Sequence, residues 1–244
     1  MTNGTPEMAQ CTKCHHPAII SQRYSGLHLC REHFIRDLEG KAKREIRKNR
    51  WLRPHDRIGV AISGGAASAA ALTLLLKLTG KRQDIGITAL HIDEGDTDVT
   101  ERVQRLAAGL DLSVGCRDPS RDLKEDIQLL AEGCTAVATG ATLDEEAAAV
   151  MAAFVSGEIA SLIETEDPDC IRWISPFLMI REDEVRLYAT LHHDEVFPDK
   201  PDREGLAGAV RDILRNYTDR HPSTLYAVSN LGGQIRRAAG DPKE

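Results

Sequence analysis

The sequence has few aromatic residues and no long apolar segment. Aromatic side chains make up 4% of the 244 residues, so we expect a mostly aliphatic core. No apolar run reaches the roughly 18 residues that a membrane span needs, and the first residues, MTNGTPEMAQ, lack the charged and apolar regions of a signal peptide. We therefore expect a cytoplasmic protein with no membrane partner, long enough for one sizeable core and a small appendage.

The chain also lacks the net positive charge that is common in nucleic-acid-binding proteins, since its formal net charge is −7. Residues 41–57, KAKREIRKNRWLRPHDR, nevertheless hold eight Lys or Arg residues against two acids, which leaves the rest of the chain near −13. Such segregation indicates a basic footprint on an acidic body, and the alternative is a solvated helix face. The candidate nucleic-acid-binding residues are Lys43, Arg44, Arg47, Lys48 and Arg50.

Four residues near the start have the spacing of a structural metal site. Cys11 and Cys14 form a C-x2-C pair, and Cys30 and His33 form a C-x2-H pair fifteen residues later. Each two-residue gap folds into a tight turn, and two such turns supply the four ligands of a tetrahedral Zn²⁺ site. Free thiols on a small hairpin are the alternative. Three further histidines are close enough in sequence to substitute for His33, without its paired spacing: His15, His16 and His28.

After Pro54, short apolar strand patterns alternate with helical patterns. The predicted strands are residues 57–62, 85–92, 110–115, 135–139 and 171–174. The predicted helices are residues 35–52, 66–79, 97–109, 119–133, 144–164, 181–193, 203–221 and 222–239. Regular alternation of strand and helix predicts an α/β fold with a doubly wound parallel sheet whose strands are buried on both faces, followed by a helical C-terminal region.

Polar stretches follow three of the predicted strands. They are SGGAAS (63–68), HIDEGDTD (91–98) and GATLDEEA (140–147). In open α/β sheets ligands bind at the carboxyl ends of the strands, so we expect these stretches to converge on one crevice. Glycines in the first stretch let backbone amides approach a phosphate, and the start of the following helix adds positive potential. The pattern predicts a nucleotide cleft, and a plain strand-to-helix turn is the alternative.

The sequence SGGAAS resembles the PP-loop of the ATP-pyrophosphatases, which usually reads SGGKDS. Together with the C-x2-C…C-x2-H pattern, the basic segment, HIDEG and ATGATLDEEAAAV, it makes the chain similar to the tRNA 2-thiolation family from about residue 10 to 235. The resemblance implies an adenine nucleotide alpha-hydrolase-like fold that binds ATP with Mg²⁺ and adenylates a tRNA uridine. AMP then leaves as sulfur is delivered, which gives 2-thiouridine.

The resemblance also implies roles for particular residues. It places the adenine against His91 and Ile92 and maps the later acidic motif onto Gly140 and Asp144. The residues that it places on the phosphates are Ser63, Gly64, Gly65 and Ser68. It assigns tRNA as the partner of the basic segment. Asp144 and its acidic neighbours also suit a helix start through capping and the helix dipole, so that alternative stays open.

The sequence departs from the family pattern in its charged side chains. Ala66 and Ala67 replace the Lys and Asp of SGGKDS, and Ala141 replaces the His of GHNLDDEA. The loss removes charge that would stabilise the reacting phosphates. Many family members bind a [4Fe-4S] cluster through a C-x2-C pair after the third strand, where this chain has only Cys116, so we expect no cluster.

These departures leave three hypotheses. The first is an active ATP-dependent tRNA uridine 2-sulfurtransferase with a divergent loop. The second, which the missing charges favour, is a protein with reduced or lost catalysis that binds tRNA beside a catalytic PP-loop homologue or a second copy of itself. The third is a nucleotide sensor without an RNA role. The predicted division is a zinc finger (1–34), a basic helical linker (35–55), a nucleotide-binding domain (56–178) and a helical region (179–244).

Overall fold

A computed structural model of the chain describes residues 9–110, 112–119, 123–163, 171–194, 197 and 205–240. The strands in these ranges are β1 (Ile20–Gln22), β2 (Leu27–Leu29), β3 (Arg57–Ala61), β4 (Gly86–Ile92), β5 (Val114–Arg117), β6 (Ala136–Ala138) and β7 (Arg172–Ile174). The α-helices are α1 (Arg31–Lys48), α2 (Ala66–Thr79), α3 (Thr97–Ala108), α4 (Leu123–Leu130), α5 (Leu143–Ser156), α6 (Glu182–His192), α7 (Leu206–Thr218) and α8 (Thr224–Gly240). None of these helices is both long and apolar enough to cross a membrane.

Five strands form one parallel sheet in the order β5-β4-β3-β6-β7. Parallel neighbours need a crossover, and helices supply it between successive strands, as in other doubly wound folds. The order reverses between β3 and β6, so the loop after β3 opens at the topological switch point where ligands bind. The predicted fold class is therefore confirmed.

Alternate residues of the central strands pack into different clusters of the core. Ala89 on β4 packs with the cluster that contains α2, whereas the next residue, Leu90, packs with Ala131 and Val137. Side chains of successive strand residues point to opposite faces, so this division shows that helical segments cover both faces of the sheet. Burial on both faces explains why the strands read as continuous apolar runs.

Helix α1 connects the Cys/His segment (residues 9–30) to the part of the chain that forms the parallel sheet. It is longer at its start than the predicted 35–52, because it begins at Arg31 directly after Cys30. It ends at Lys48, well before Pro54, and Arg50 takes a left-handed conformation with φ of 50°. The predicted division at residues 34 and 35 falls inside this helix. The four-part division stays a prediction.

Two element boundaries differ from the predicted ones for local reasons. The third strand of the sheet covers 114–117 instead of 110–115, because the Leu110 and Leu112 amides donate back to the Ala107 carbonyl and form a turn first. The predicted helix over 144–164 ends at Ser156, because Gly157 takes a left-handed C-cap conformation with φ of 78°. The predicted helix over 203–221 is observed at 206–218, with residues 203 and 204 outside the described ranges.

Asp56 joins three strands at their amino ends. Its carboxylate, 3% exposed, accepts hydrogen bonds from the Arg53 amide at 2.6 Å, the Thr135 hydroxyl at 2.7 Å and the Arg172 guanidinium at 2.7 Å. Burial raises the pKa of Asp56, but these donors outweigh that effect and lower the pKa below its ordinary value. The amino edge of β3, β6 and β7 is thus held by one ionised carboxylate.

Candidate metal centre and nucleotide-binding loops

The four predicted metal ligands come together. The ligand atoms of Cys11, Cys14, Cys30 and His33 all lie within 4.8 Å of one another. His33 Nδ1 is 3.5 Å from Cys11 Sγ and 3.4 Å from Cys30 Sγ, and the Sγ atoms of Cys14 and Cys30 are 3.6 Å apart. A tetrahedral zinc ion with bonds of about 2.0–2.3 Å requires ligand separations of about 3.3–3.8 Å, so this donor set fits Zn²⁺.

Local backbone structure positions these ligands. The Cys14 amide donates to the Cys11 carbonyl at 3.2 Å, which closes the first C-x2-C turn. Cys30 is the N-cap residue of α1, and His33 lies in the first turn of that helix. Burial raises the pKa of the Cys11 thiol, but backbone hydrogen bonds with Cys30 and Lys13 outweigh it and lower the pKa to about 6. A thiolate at neutral pH is the form that binds metal.

The other described histidines and cysteines lie outside this set of four ligands, although His16 Nδ1 is 3.5 Å from Cys14 Sγ. His28 Nδ1 is hydrogen-bonded to the Ser21 hydroxyl at 2.7 Å. Cys116 is exposed, and Cys134 is half-buried against the sheet. Cys170 lies outside the described residues. Within the described part of the chain, no other group of three or more Cys, His, Asp or Glu side chains converges. Cys116 and Cys134, the described thiols outside this ligand set, therefore belong to no converging group, and the expected lack of an iron–sulfur cluster stays a prediction.

The SGGAAS segment forms a tight turn into α2. Gly64 has φ of 73°, and a Cβ at this position would lie 2.8 Å from Val99 Cγ1, so only glycine fits. The Ser63 amide donates to Ser68 Oγ at 3.2 Å, and that hydroxyl donates to the Gly65 carbonyl at 2.9 Å. Ser68 is thus buried within the loop and shapes it.

The other two polar stretches meet this turn. His91 Nδ1 lies 2.8 Å from the Ile62 carbonyl, and its Nε2 lies 3.2 Å from the Thr100 hydroxyl, which ties β4 to the end of β3 and to α3. Ile92 is also buried at the end of β4. A Cβ at Gly140 would lie 2.5 Å from the Ala67 carbonyl carbon, so the third stretch rests directly on the first turn of α2. The expected convergence of the three stretches is observed.

The acidic residues of these stretches cap helices. Asp96, rather than Asp93 or Glu94, caps α3, because its carboxylate accepts from the Asp98 and Val99 amides. Asp144 accepts from the Glu182 amide at 2.8 Å and lies 3.8 Å from Arg181, so its contacts are with the start of α6. Burial raises the pKa of Asp144. The N-cap residue of α5 is Thr142, whose hydroxyl accepts from the Glu145 amide, so Asp144 does not cap its own helix and its place in the nucleotide site stays a prediction.

Charge at the start of α2 comes from another helix. Ala66 and Ala67 are 7% and 9% exposed and belong to the main core cluster. Arg102 on α3 extends to the loop instead, and its Nη1 donates to the Gly64 carbonyl at 3.4 Å. No ion pair joins Arg102 to a carboxylate among the described residues. The sequence alone did not identify Arg102, because its only signal is a basic residue about one and a half turns into the helix that follows HIDEG.

The basic face of α1 divides into paired and unpaired side chains. Lys43 lies 3.8 Å from Glu39, and Lys48 lies 3.6 Å from Glu45, both on the same helix. Arg44, Arg47 and Arg50 are exposed, and none has an ion pair with a carboxylate in the ranges that the structure covers. These three arginines are the side chains best placed to meet an external anion.

Comparisons with known proteins agree on one group. A family model described as "2-thiouridine synthetase TtuA, N-terminal LIM domain" matches residues 10–35. The tRNA 2-thiolation protein NcsA of Haloferax volcanii is 26% identical over 90% of this chain and 84% of its own length. The tRNA-5-methyluridine(54) 2-sulfurtransferase of Thermus thermophilus is 28% identical over 74% of this chain and 65% of its own length.

The fold has a close counterpart among solved structures. The U34-tRNA thiolase NcsA from Methanococcus maripaludis, solved with its [4Fe-4S] cluster, superposes with a TM-score of 0.82 at 22% identity. The match covers 96% of this chain and 88% of that one. The chain spans about two thirds of the length of some curated relatives.

Proposed function

The chain is a TtuA/NcsA-like protein of the tRNA 2-thiolation family, and we propose that it serves tRNA 2-thiolation by binding tRNA through α1 and ATP through the SGGAAS turn. One observation carries the proposal: the Cys/His centre leads without a break into α1, on which Arg44 and Arg47 have no carboxylate partner among the described residues, as is also true of Arg50 just beyond the helix. Zinc at that centre fixes the start of the helix, because Cys30 and His33 belong to it. The closed ligand set leaves zinc no open position for catalysis.

ATP binding is supported by the convergence of the three polar stretches on the start of α2. Gly64 and Gly65 have no side chain that would separate their backbone amides from a phosphate, and the helix start adds positive potential. Arg102 supplies a guanidinium beside this turn, whereas the PP-loop pattern SGGKDS, which the turn resembles, has a lysine in the loop itself. When bound, ATP would provide the activating adenylate, with Mg²⁺ that accompanies its phosphates. Ser63, Gly64, Gly65 and Arg102 are the groups that would hold it.

We propose that turnover by this chain alone is low, because Ala66 and Ala67 carry no charge to the reacting phosphates. A catalytic PP-loop homologue, or a second copy of the chain, would then complete the reaction. An active sulfurtransferase is the second candidate, favoured by the position of Arg102 and by relatives that are named sulfurtransferases. The cytoplasmic location remains a prediction.

Uridine-dependent AMP formation distinguishes the two candidates. The purified chain is incubated with tRNA, ATP, Mg²⁺ and a sulfide donor, beside the double variant Ala66→Lys/Ala67→Asp, with folding checked by circular dichroism. We expect AMP at background level from the natural chain and a clear increase from the double variant. Fast AMP formation by the natural chain, dependent on an unmodified uridine, would establish the active sulfurtransferase instead.

Replacement of Arg102 by alanine is expected to weaken ATP binding about tenfold, because one charge-assisted contact to phosphate is lost. Isothermal titration calorimetry with ATP and Mg²⁺ measures the change. Arg105→Ala is the matched control, since Arg105 lies one turn further along α3 and pairs with Glu101. If Arg102→Ala binds ATP as tightly as the natural chain, the guanidinium contacts only the Gly64 carbonyl and does not bind the nucleotide.

A further inference from the structure

A cavity of about 430 Å³ lies between the Cys/His segment, α1 and the start of α8. Its lining includes Tyr24, Lys41, Arg44, Met179, Ser223 and Tyr226. None of these residues belongs to the three polar stretches at the carboxyl edge of the sheet, so the cavity is separate from the proposed ATP site. Its volume falls within the range of about 300–1,000 Å³ that is usual for small-ligand sites.

Two tyrosines form the aromatic part of the wall. The rings of Tyr24 and Tyr226 are 5.0 Å apart between centroids with an interplanar angle of 49°. The Tyr24 hydroxyl donates to Glu184 Oε1 at 2.6 Å and accepts from Lys41 at 2.5 Å. Tyr24 is therefore fixed in place by a buried acid and a lysine. Fixed aromatic rings are the side chains on which unstacked RNA bases pack.

One polar atom in the wall has no partner. The Tyr226 hydroxyl is buried and makes no hydrogen bond with any described residue. Native proteins leave few such groups, so each calls for an explanation. This hydroxyl is inaccessible from the cavity and lies beside Tyr24, so the part of Tyr226 that the cavity offers to a ligand is its ring.

The charges of the wall suit a single phosphate. Lys41 is held by Asp37 at 2.6 Å, so its charge is largely balanced within the protein. Arg44 is exposed and has no carboxylate partner among the described residues. Glu45 also lines the cavity, but it pairs with Lys48 at 3.6 Å. The unbalanced charge at the opening is that of one guanidinium, a group that recognises phosphate through paired hydrogen bonds.

We propose that this cavity binds one unpaired nucleotide of the tRNA, with its base against Tyr226 and its phosphate on Arg44. The proposal rests on the proposed tRNA binding by α1, because Arg44 belongs to the same basic face and makes the cavity continuous with it. A nucleotide matches the two properties of the wall that a ligand can reach, which are an aromatic surface and a guanidinium without a carboxylate partner among the described residues.

The test uses a fluorescently labelled oligouridylate of five nucleotides and the full chain, with affinity read by anisotropy. Tyr226→Ala is expected to weaken binding about tenfold, within the range measured for base–aromatic stacking. Arg44→Gln should weaken it by a similar factor. Tyr217→Ala is the aromatic control, because Tyr217 lies on α7, is 51% exposed and is outside the cavity. Arg36→Gln is the control on α1, because Arg36 is exposed on that helix and lies outside the cavity, and both controls should bind with less than twofold change.

Arg102→Ala separates this site from the proposed ATP site. Unchanged affinity of Arg102→Ala for the oligouridylate supports binding in the cavity. Lost affinity in Arg102→Ala together with unchanged affinity in Tyr226→Ala would overturn the proposal. Tyr226→Phe keeps the aromatic ring and replaces Tyr226→Ala if that variant does not fold. Its affinity for the oligouridylate should fall less than threefold. Unlabelled tRNA must compete with the oligouridylate, and failure to compete would also overturn the proposal. Charge reversal of Arg47, Lys48 and Arg50 tests tRNA binding by α1 independently of the cavity.

Discussion

Cys11→Ser is expected to release the bound zinc and unfold the Cys/His segment while the parallel sheet remains folded. Two strands of three residues each cannot hold a hairpin together, so metal binding supplies the folding free energy of this segment. For structural zinc sites that contribution is about 10–16 kcal/mol at neutral pH.

Elemental analysis and circular dichroism measure this outcome. The natural chain should carry about one zinc per chain, and Cys11→Ser should carry almost none, with most helical signal retained. Cys116→Ser is the matched control, because Cys116 is exposed and outside the ligand cluster. Detection of iron and sulfide with an absorbance at about 400 nm, all of them lost in Cys11→Ser, would contradict the zinc assignment. It would indicate an iron–sulfur cluster bound by the thiols of the Cys/His segment.

Reversal of three charges at the end of α1 and just beyond it, as Arg47→Glu, Lys48→Glu and Arg50→Glu, is expected to weaken tRNA binding about 100-fold at about 0.1 M salt. Two of these side chains have no carboxylate partner in the described ranges, and Lys48 pairs only within its own helix. Each lost phosphate contact also lowers the slope of log affinity against log salt by about 0.7–0.9. The salt dependence should therefore become flatter.

Binding of labelled tRNA at several salt concentrations gives both quantities. The matched control reverses three exposed basic residues elsewhere: Lys81, Arg220 and Arg237. That control keeps the same net charge change but leaves α1 intact, so it should bind tRNA within about threefold of the natural chain. Equal weakening of tRNA binding in both triple variants would show a general effect of net charge. It would support the alternative that α1 is a solvent-exposed charged helix with no role in tRNA binding.

The local signals in the sequence predicted most of the fold. The C-x2-C and C-x2-H pairs identified the metal centre because each turn spans only a few residues, and Cys30 and His33 then share one helix. The alternation of strand and helix patterns predicted the parallel sheet, because strands that are buried on both faces read as continuous apolar runs. The errors occur where a backbone turn decides the boundary, as at Gly157 and after Ala107.

Contacts between residues distant in sequence could not be predicted in the same way. The cavity joins Tyr24 to Tyr226 across most of the chain, and no periodic pattern records that proximity. Arg102 reaches the Gly64 carbonyl only because α3 packs on the turn after β3. Asp144 was assigned to the site from its motif, although its contacts with the start of α6 depend on how α5 and α6 meet.

The Asp56 carboxylate lies at the edge of the sheet opposite to the three polar stretches. The hydrogen bonds that align β3, β6 and β7 therefore do not involve the SGGAAS turn, whose Ala66 and Ala67 pack into the core. Substitutions at the carboxyl edge can change the chemistry of that edge without removing these contacts. A turn that reads SGGAAS in place of the pattern SGGKDS is for this reason compatible with an intact sheet.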